Sequence, residues 1–351
     1  MSTLTIALAS LGGVVLAGVV AHGAWQARKA GPKRATEPPP RTEPHAMIEP
    51  VLGDLGAADG PATDAGMAAS EPRPARRGVA RLDALIDAIA PLALEAPVSG
   101  EMVQSHLPAT RRAGSKPFLI EGLNSATGEW EAPMAGARYG EFQAGVQLAN
   151  RTGALNEIEY SEFVQKTQAF ADAVNAMPDF PDMLDAVARA RELDGFASQH
   201  DAQLALHLQA RETAWSVGYI QQQAAAQGLV PGVVPGRLVL PAAEEGAPPV
   251  LTLTFDSQAA LADDPGRAAV RDLTLGFDVP QTDPKIRPFA TWQASAQALA
   301  LSMDAQLVDD DGQPLKPEGF AGIEQALAKL YAALDAHGLA AGSAAARRLF
   351  S

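Results

Sequence analysis

Cysteine is absent from the 351 residues, so no disulfide framework and no thiolate metal or redox site can be built, which fits a reducing compartment. Lysine and arginine are absent before Arg28. That removes the basic n-region a cleaved signal peptide would need ahead of its apolar stretch. Also missing are a Gly-rich phosphate loop, a nucleophile elbow and any pair of histidines at metal-ligand spacing on one helix. The six histidines, His22, His45, His106, His200, His207 and His337, are scattered. No Ser, His and Asp set comes together in the sequence, and neither a cofactor nor a small-molecule substrate is expected.

The formal net charge is −14. Acidic and basic residues nearly cancel over 27–78, so the negative charge belongs to the body beyond them. An acidic body repels phosphate backbones, and nucleic acid is not an expected partner. The densest basic cluster in that body is Arg111, Arg112 and Lys116, which reads as a solvated loop, with contact to a partner carboxylate or a lipid headgroup as the alternative.

Leu4 to Trp25 holds no charged residue, and a helix of that length rises roughly 33 Å, enough to cross a hydrocarbon core. Arg28, Lys29, Lys33 and Arg34 follow it. By the positive-inside rule the N-terminus faces the periplasm and the body the cytoplasm, as a single-pass protein of the cell inner membrane. Residues 1–26 are therefore expected to be a transmembrane anchor. Residues 27–80 carry nine prolines between Pro32 and Pro74, with no aromatic and no helical or strand period. They cannot bury enough apolar surface to offset their ordering entropy, which predicts a disordered linker. A coil of that length reaches on the order of 40 Å.

From Arg81 the pattern becomes that of a folded α+β body. Gln203–Leu208, Arg237–Leu240, Val250–Phe255 and Leu273–Phe277 alternate with period two, each a strand with one buried face. Helices are predicted over Ala214–Gln227, Trp292–Met303 and Ile323–Leu334, where apolar residues fall three or four apart. A short strand is expected at Leu307–Val308, followed by a turn at Asp309–Gly312. That turn lacks the terminal Glu of a calcium loop and carries Pro314. The first half reads as a strand over Ile86–Leu94, a helix near Gly100–Leu107, strands at Phe118–Gly122 and Glu141–Leu148, and a helix over Tyr160–Val174. Closed by the strand at Leu204, this gives β-α-β-β-α-β, the split order that the second half also approximates. Asp179–Leu193 is expected to be an extra connecting helix. The expected fold is thus α+β, antiparallel split β-α-β sheets with helices on one face and a possible duplication, divided into an extension over 81–200 and a second domain over 201–351.

In 201–351 the order of elements resembles the C-terminal domain of the bacterial cell-division protein ZipA. The likeness is carried by a helix ending in Gln227-Gly228-Leu229, a strand pair with Pro249 before its second member, then Phe277-Asp278-Val279-Pro280 and a helix leading to Leu307-Val308-Asp309-Asp310. The anchor and tether share that family's architecture; 81–200 has no counterpart in it. The resemblance implies a domain without enzymatic activity whose exposed sheet face binds the C-terminal tail of FtsZ, the tubulin-like GTPase of the division ring, and so tethers FtsZ polymers at the septum. If the leucines of the four strands face the helices, the binding face presents Ala205, His207, Val239, Thr252, Thr254, Thr274 and Gly276. This face is smaller and more polar than the family's groove. The competing function is that of a membrane-anchored accessory protein recognising another peptide or a wall-related ligand in the periplasm.

Overall fold

The computed structural model describes residues 81–262 and 269–351. The expected anchor and linker lie outside them, and among the described residues no helix is long and apolar enough to cross a membrane. The described residues are mixed α+β, arranged as two lobes within one compact unit.

Lobe 1 runs β1 (Asp87–Ser99), α1 (Gly100–His106), β2 (Arg112–Ala113), β3 (Lys116–Asn124), β4 (Trp130–Glu131), β5 (Arg138–Gln147), the hairpin β6 (Ala149–Asn150) and β7 (Gly153–Ala154), α2 (Glu157–Val174), β8 (Ala176–Pro178) and α3 (Met183–His200). Its sheet has the order β2-β3-β5-β1-β8, with β4 pairing β3. All pairings are antiparallel. Asn156 caps α2 and forms a capping box with Glu159, while Asn175 closes it in the left-handed region at φ 55° with its N–H on Ala171 O. The buried side of that helix supplies Phe163 and Phe170, which meet Phe118 and Phe142 edge-on at ring separations of 5.8 and 5.4 Å, and Tyr160, whose ring meets Phe163 at 5.7 Å.

Lobe 2 runs β9 (Gln203–Ala210), α4 (Val217–Ala226), β10 (Val230–Pro231), β11 (Arg237–Leu240), β12 (Leu251–Thr254), α5 (Ser257–Ala260), β13 (Asp272–Asp278), a 3₁₀ turn at Pro284–Ile286, α6 (Pro288–Ser302), β14 (Ala305–Val308), α7 (Pro317–Ala336) and α8 (Ala344–Leu349). The sheet order is β10-β11-β12-β13-β9-β14, again antiparallel throughout. Leu206, Leu208, Leu238, Leu251, Leu253, Leu273, Leu275 and Phe277 are buried in one core with Ile220 of α4, Trp292 and Leu299 of α6 and Leu327 of α7. Leu204, Leu240 and Phe255 pack against its margin. Trp292 is fully enclosed because its indole N–H finds the Leu275 carbonyl at 2.8 Å, and Trp215 does the same with Met303 O at 2.8 Å.

One reading needs correction. The first half is not closed by the strand at Leu204. Its fourth strand is β8, only three residues long and too short to show alternation, whereas the Leu204 strand opens the second sheet. With that change β3-β5-β1-β8 and β12-β13-β9-β14 have the same order, and in both a helix follows the first strand and another the third. The strand expected at Ile86–Leu94 continues to Ser99 through an irregularity between Ala93 and Val98.

The lobes are joined by the C-terminal segment. After α7 the chain crosses back, so that Leu334, Leu339, Ala346, Leu349 and Phe350 form a core with Ile86, Ala149 and Ala197 of lobe 1. Arg348 on α8 reaches the buried carboxylate of Asp87 with both terminal nitrogens, at 2.8 and 2.5 Å, and also donates to the Arg81 carbonyl. Gln147 Nε2 holds Arg348 O at 2.8 Å. A second bridge is Arg151, on the β6–β7 hairpin, which meets Asp201 at 2.8 Å and Asp278 at 2.7 Å.

Burial pushes the Asp87 carboxyl above its ordinary range, although the Arg348 hydrogen bonds and charge pull it down. Removing the guanidinium leaves a buried charge unpaired, so Arg348→Ala is expected to cost about 3 kcal/mol, read by urea unfolding. Asp87→Asn in that background should recover part of the loss. With the folded pKa above the unfolded one, Asp87's contribution falls as pH rises from the ordinary carboxylate range through the raised value. In Arg348→Ala that decline should extend to higher pH.

Candidate functional site

The strand leucines of lobe 2 are committed to the core, so among the described residues strand alternation leaves a second face without helices. Registered pairs set its side chains in rows. Val230, Val239, Thr252, Gly276 and Ala205 form one row across five strands. Arg237, Thr254, Thr274 and His207 form the next. Beyond the first row, on the other side, Asp278 stands opposite Gln203. The seven residues expected on this face are all on it, each exposed or partly exposed.

Five of them, Ala205, Thr252, Thr254, Thr274 and Gly276, line a single open depression of about 420 Å³. Val239 and His207 are on the same face outside it. The floor is low because Gly276 and Ala205 carry almost no side chain. At Gly276 a Cβ would stand 2.7 Å from the Leu204 carbonyl oxygen, so a larger residue there moves backbone rather than decorating a surface. The walls come from Pro248 and Pro249 of the β11–β12 loop and from Arg237, Arg151 and Asp278.

Arg237 lies over the floor with Nη2 3.4 Å from Thr252 Oγ1, and among the described residues no carboxylate pairs with it. Arg151 is spoken for by its two aspartates, and their hydrogen bonds raise its pKa further against the opposing effect of burial. Asp278 is pushed up by burial, with Arg151 acting against the rise. Among the described residues the depression thus has one unpaired cation on one side and a cluster of two carboxylates around one guanidinium on the other.

His207 is a tie at the edge of the face. Its Nδ1 faces Asp272 Oδ1 at 3.1 Å, and its Nε2 faces Asp310 Oδ1, in the turn after β14, at 3.2 Å. Burial lowers its pKa, but hydrogen bonds and charge from Asp272 and Asp310 outweigh burial and leave it raised. The expected Asp309–Gly312 turn is formed, closed by Asp309 N on Gln313 O at 3.0 Å. Among the described residues no three acidic or histidine side chains are arranged to hold a metal ion.

The matching face of lobe 1 is occupied by its own chain. Glu121 accepts from the backbone of Arg81 and Leu82 and from Gln143 Nε2 at 2.9 Å, and Leu82 lies where a Cβ on Gly145 would be, at 2.4 Å. The basic cluster expected before Phe118 is also corrected. Lys116 is 1% exposed and spends its three protons on Asn150 Oδ1 at 2.9 Å, Ser115 Oγ at 3.0 Å and Thr152 Oγ1 at 3.3 Å. Desolvation lowers its pKa, with Glu159 and Asp194 opposing. Ser115 donates to Glu159 at 2.7 Å. This buried network ties β3 to the β6–β7 hairpin and α2; no lysine proton is left for a lipid or a partner, although Arg111 and Arg112 remain exposed.

No protein-family model matches this chain, and no curated protein sequence matches it. Arg237 was within reach of sequence reasoning, because it shares the outward parity of Val239 in Arg237-Leu-Val-Leu. Arg151 was not: it arrives from the other lobe, and nothing local to residue 151 announces lobe 2.

Substitutions separate the two faces. Leu253→Asp drives a carboxylate into the apolar core and should abolish cooperative unfolding, whereas Thr254→Asp should keep a melting temperature close to the parent's. Collapse of Thr254→Asp with survival of Leu253→Asp would reverse the assignment. The His207 clamp gives a pH signature. Its folded pKa exceeds the unfolded value of 6.5, so its stabilisation is complete below that value and fades as pH rises through the folded one. Ring titration by NMR should find the raised pKa, and His207→Gln should flatten that part of the stability profile.

Proposed function

We propose that this protein is a membrane tether of the division ring, acting without chemistry of its own, and that lobe 2 binds the C-terminal tail of FtsZ on its open sheet face. The observation that carries the proposal is an uncovered, threonine-lined face on a split β-α-β lobe whose leucine face is filled by helices. A face that no helix of the described residues covers, lined with small and polar side chains, suits an added peptide segment. The element order resembling ZipA supplies the identity of that peptide. The anchor at Leu4 to Trp25 and the linker over 27–80 complete the reading, with the folded body held near the inner membrane on a tether on the order of 40 Å long. The shared strand order of the lobes supports an internal duplication, in which lobe 2 kept its face open and lobe 1 covered its own with residues 81 and 82.

The test is direct. Full-length protein in detergent, titrated with a synthetic FtsZ tail, should bind it, and Thr254→Asp should weaken binding by about 1 to 3 kcal/mol, because the new carboxylate stands opposite Arg237 in register and competes with the tail for that cation. A reporter active only in the cytoplasm, fused after Ser351, should be active. Activity of a periplasm-specific reporter at that position would move the body across the membrane and favour recognition of a wall-related ligand or another peptide.

A further inference from the structure

The open face of lobe 2 is not uniform in charge, and its asymmetry says what kind of segment fits. The row carrying Arg237 and the row carrying Asp278 are separated by two strands laterally and by four residues along β13. At sheet spacings this sets the two backbone positions roughly 17 Å apart across the depression. On one side stands a guanidinium with no carboxylate partner among the described residues. On the other, Asp201 and Asp278 share the single guanidinium of Arg151, which leaves that side with a surplus of negative charge. Between them the floor is Gly276 and Ala205, flanked by Thr252 and Thr274, where the sheet backbone is covered by very little.

We infer that the depression takes a polarised amphipathic segment. It carries a carboxylate that pairs with Arg237, a basic residue toward Asp278 and, between them, a bulky apolar side chain that descends onto Gly276 and Ala205. The spacing corresponds to about eleven residues of helix or five of extended chain. The face supplies the hollow and the partner supplies the bulk, the reverse of a groove built from large apolar side chains. Lobe 1 takes part in this site, because Arg151 holds the acidic side in place. The inference rests on the open face being the binding surface and goes beyond the identity of its partner.

The charge on Arg237 does not hold the fold together. It is exposed and makes one long contact to a threonine, so its substitution tests recognition. The probes are 14-residue amphipathic peptides with one shared apolar face: the first with Glu and Lys eleven positions apart, the second with Gln for that Glu, the third with Glu at both positions. Each is titrated into the full chain in detergent at low and high salt, beside the FtsZ tail. The Glu/Lys peptide should bind best, with the other two about three- to ten-fold weaker and the differences shrinking at high salt. Arg237→Glu should remove the preference for Glu over Gln, and Arg237→Lys should restore most of it. Equal affinity of all three peptides, or an unchanged preference in Arg237→Glu, overturns the inference even if Thr254→Asp still blocks the FtsZ tail. Binding of the Glu/Lys peptide with no binding of the FtsZ tail upholds it and instead overturns FtsZ as the partner. Absence of binding by every designed peptide overturns it as well.

Discussion

The pairing of Asp87 with Arg348 is the interaction on which the two-lobed arrangement depends. A carboxylate on the first strand of lobe 1 is buried beneath a guanidinium from the last helix of lobe 2. The buried carboxylate is costly to keep charged there without the guanidinium. Because the pair lies at the two ends of the described chain, it closes the whole body into a ring of contacts. The apolar cluster of Leu349, Phe350 and Ile86 and the Arg151 bridge then hold a geometry the pair has already set. Lobe 2 gives up its C-terminal segment to make this closure, and its open face gains a wall from lobe 1 in return.

The function proposed for the body uses that exchange. A sheet covered by helices on one side must leave its other side to water, to its own chain or to a partner. Lobe 1 takes the second course, with Glu121 gathering the backbone of residues 81 and 82 and Leu82 resting on Gly145. In lobe 2 no described segment covers the same side. Two lobes with one strand order thus end with different surfaces, and the difference comes from a few residues at the point where the chain enters.

Much of this was legible in the sequence wherever periodicity was long and clean. The alternating leucines of Gln203–Leu208, Val250–Phe255 and Leu273–Phe277 announce both the strands and the face they bury, because a period of two fixes which side each residue takes. The helices ending in Gly228 and Asn175 were found within a few residues for the same reason. What escaped was short or distant. β8 spans three residues, too few to show a period, so the closing strand of lobe 1 was sought in the next alternating run. Lys116 looks like a surface charge in its local sequence and is buried only because Asn150 and Thr152, more than thirty residues on, bring oxygen atoms to it. Gly276 reads as one more small residue on the face, and the carbonyl that crowds it belongs to the neighbouring strand.

Arg348 holds the Arg81 carbonyl as well as Asp87. The point where the body receives the preceding chain is therefore also the point where its C-terminal helix is fastened. A tug arriving through residue 81 meets Glu121 at the Arg81 amide and the Arg348 guanidinium at the Arg81 carbonyl, and is shared between the lobe 1 sheet and α8. From α8 the same load would reach Gln281 on the rim of the depression, through the Phe350 carbonyl and the Arg347 side chain, so the entry of the body and the edge of the open face are mechanically connected.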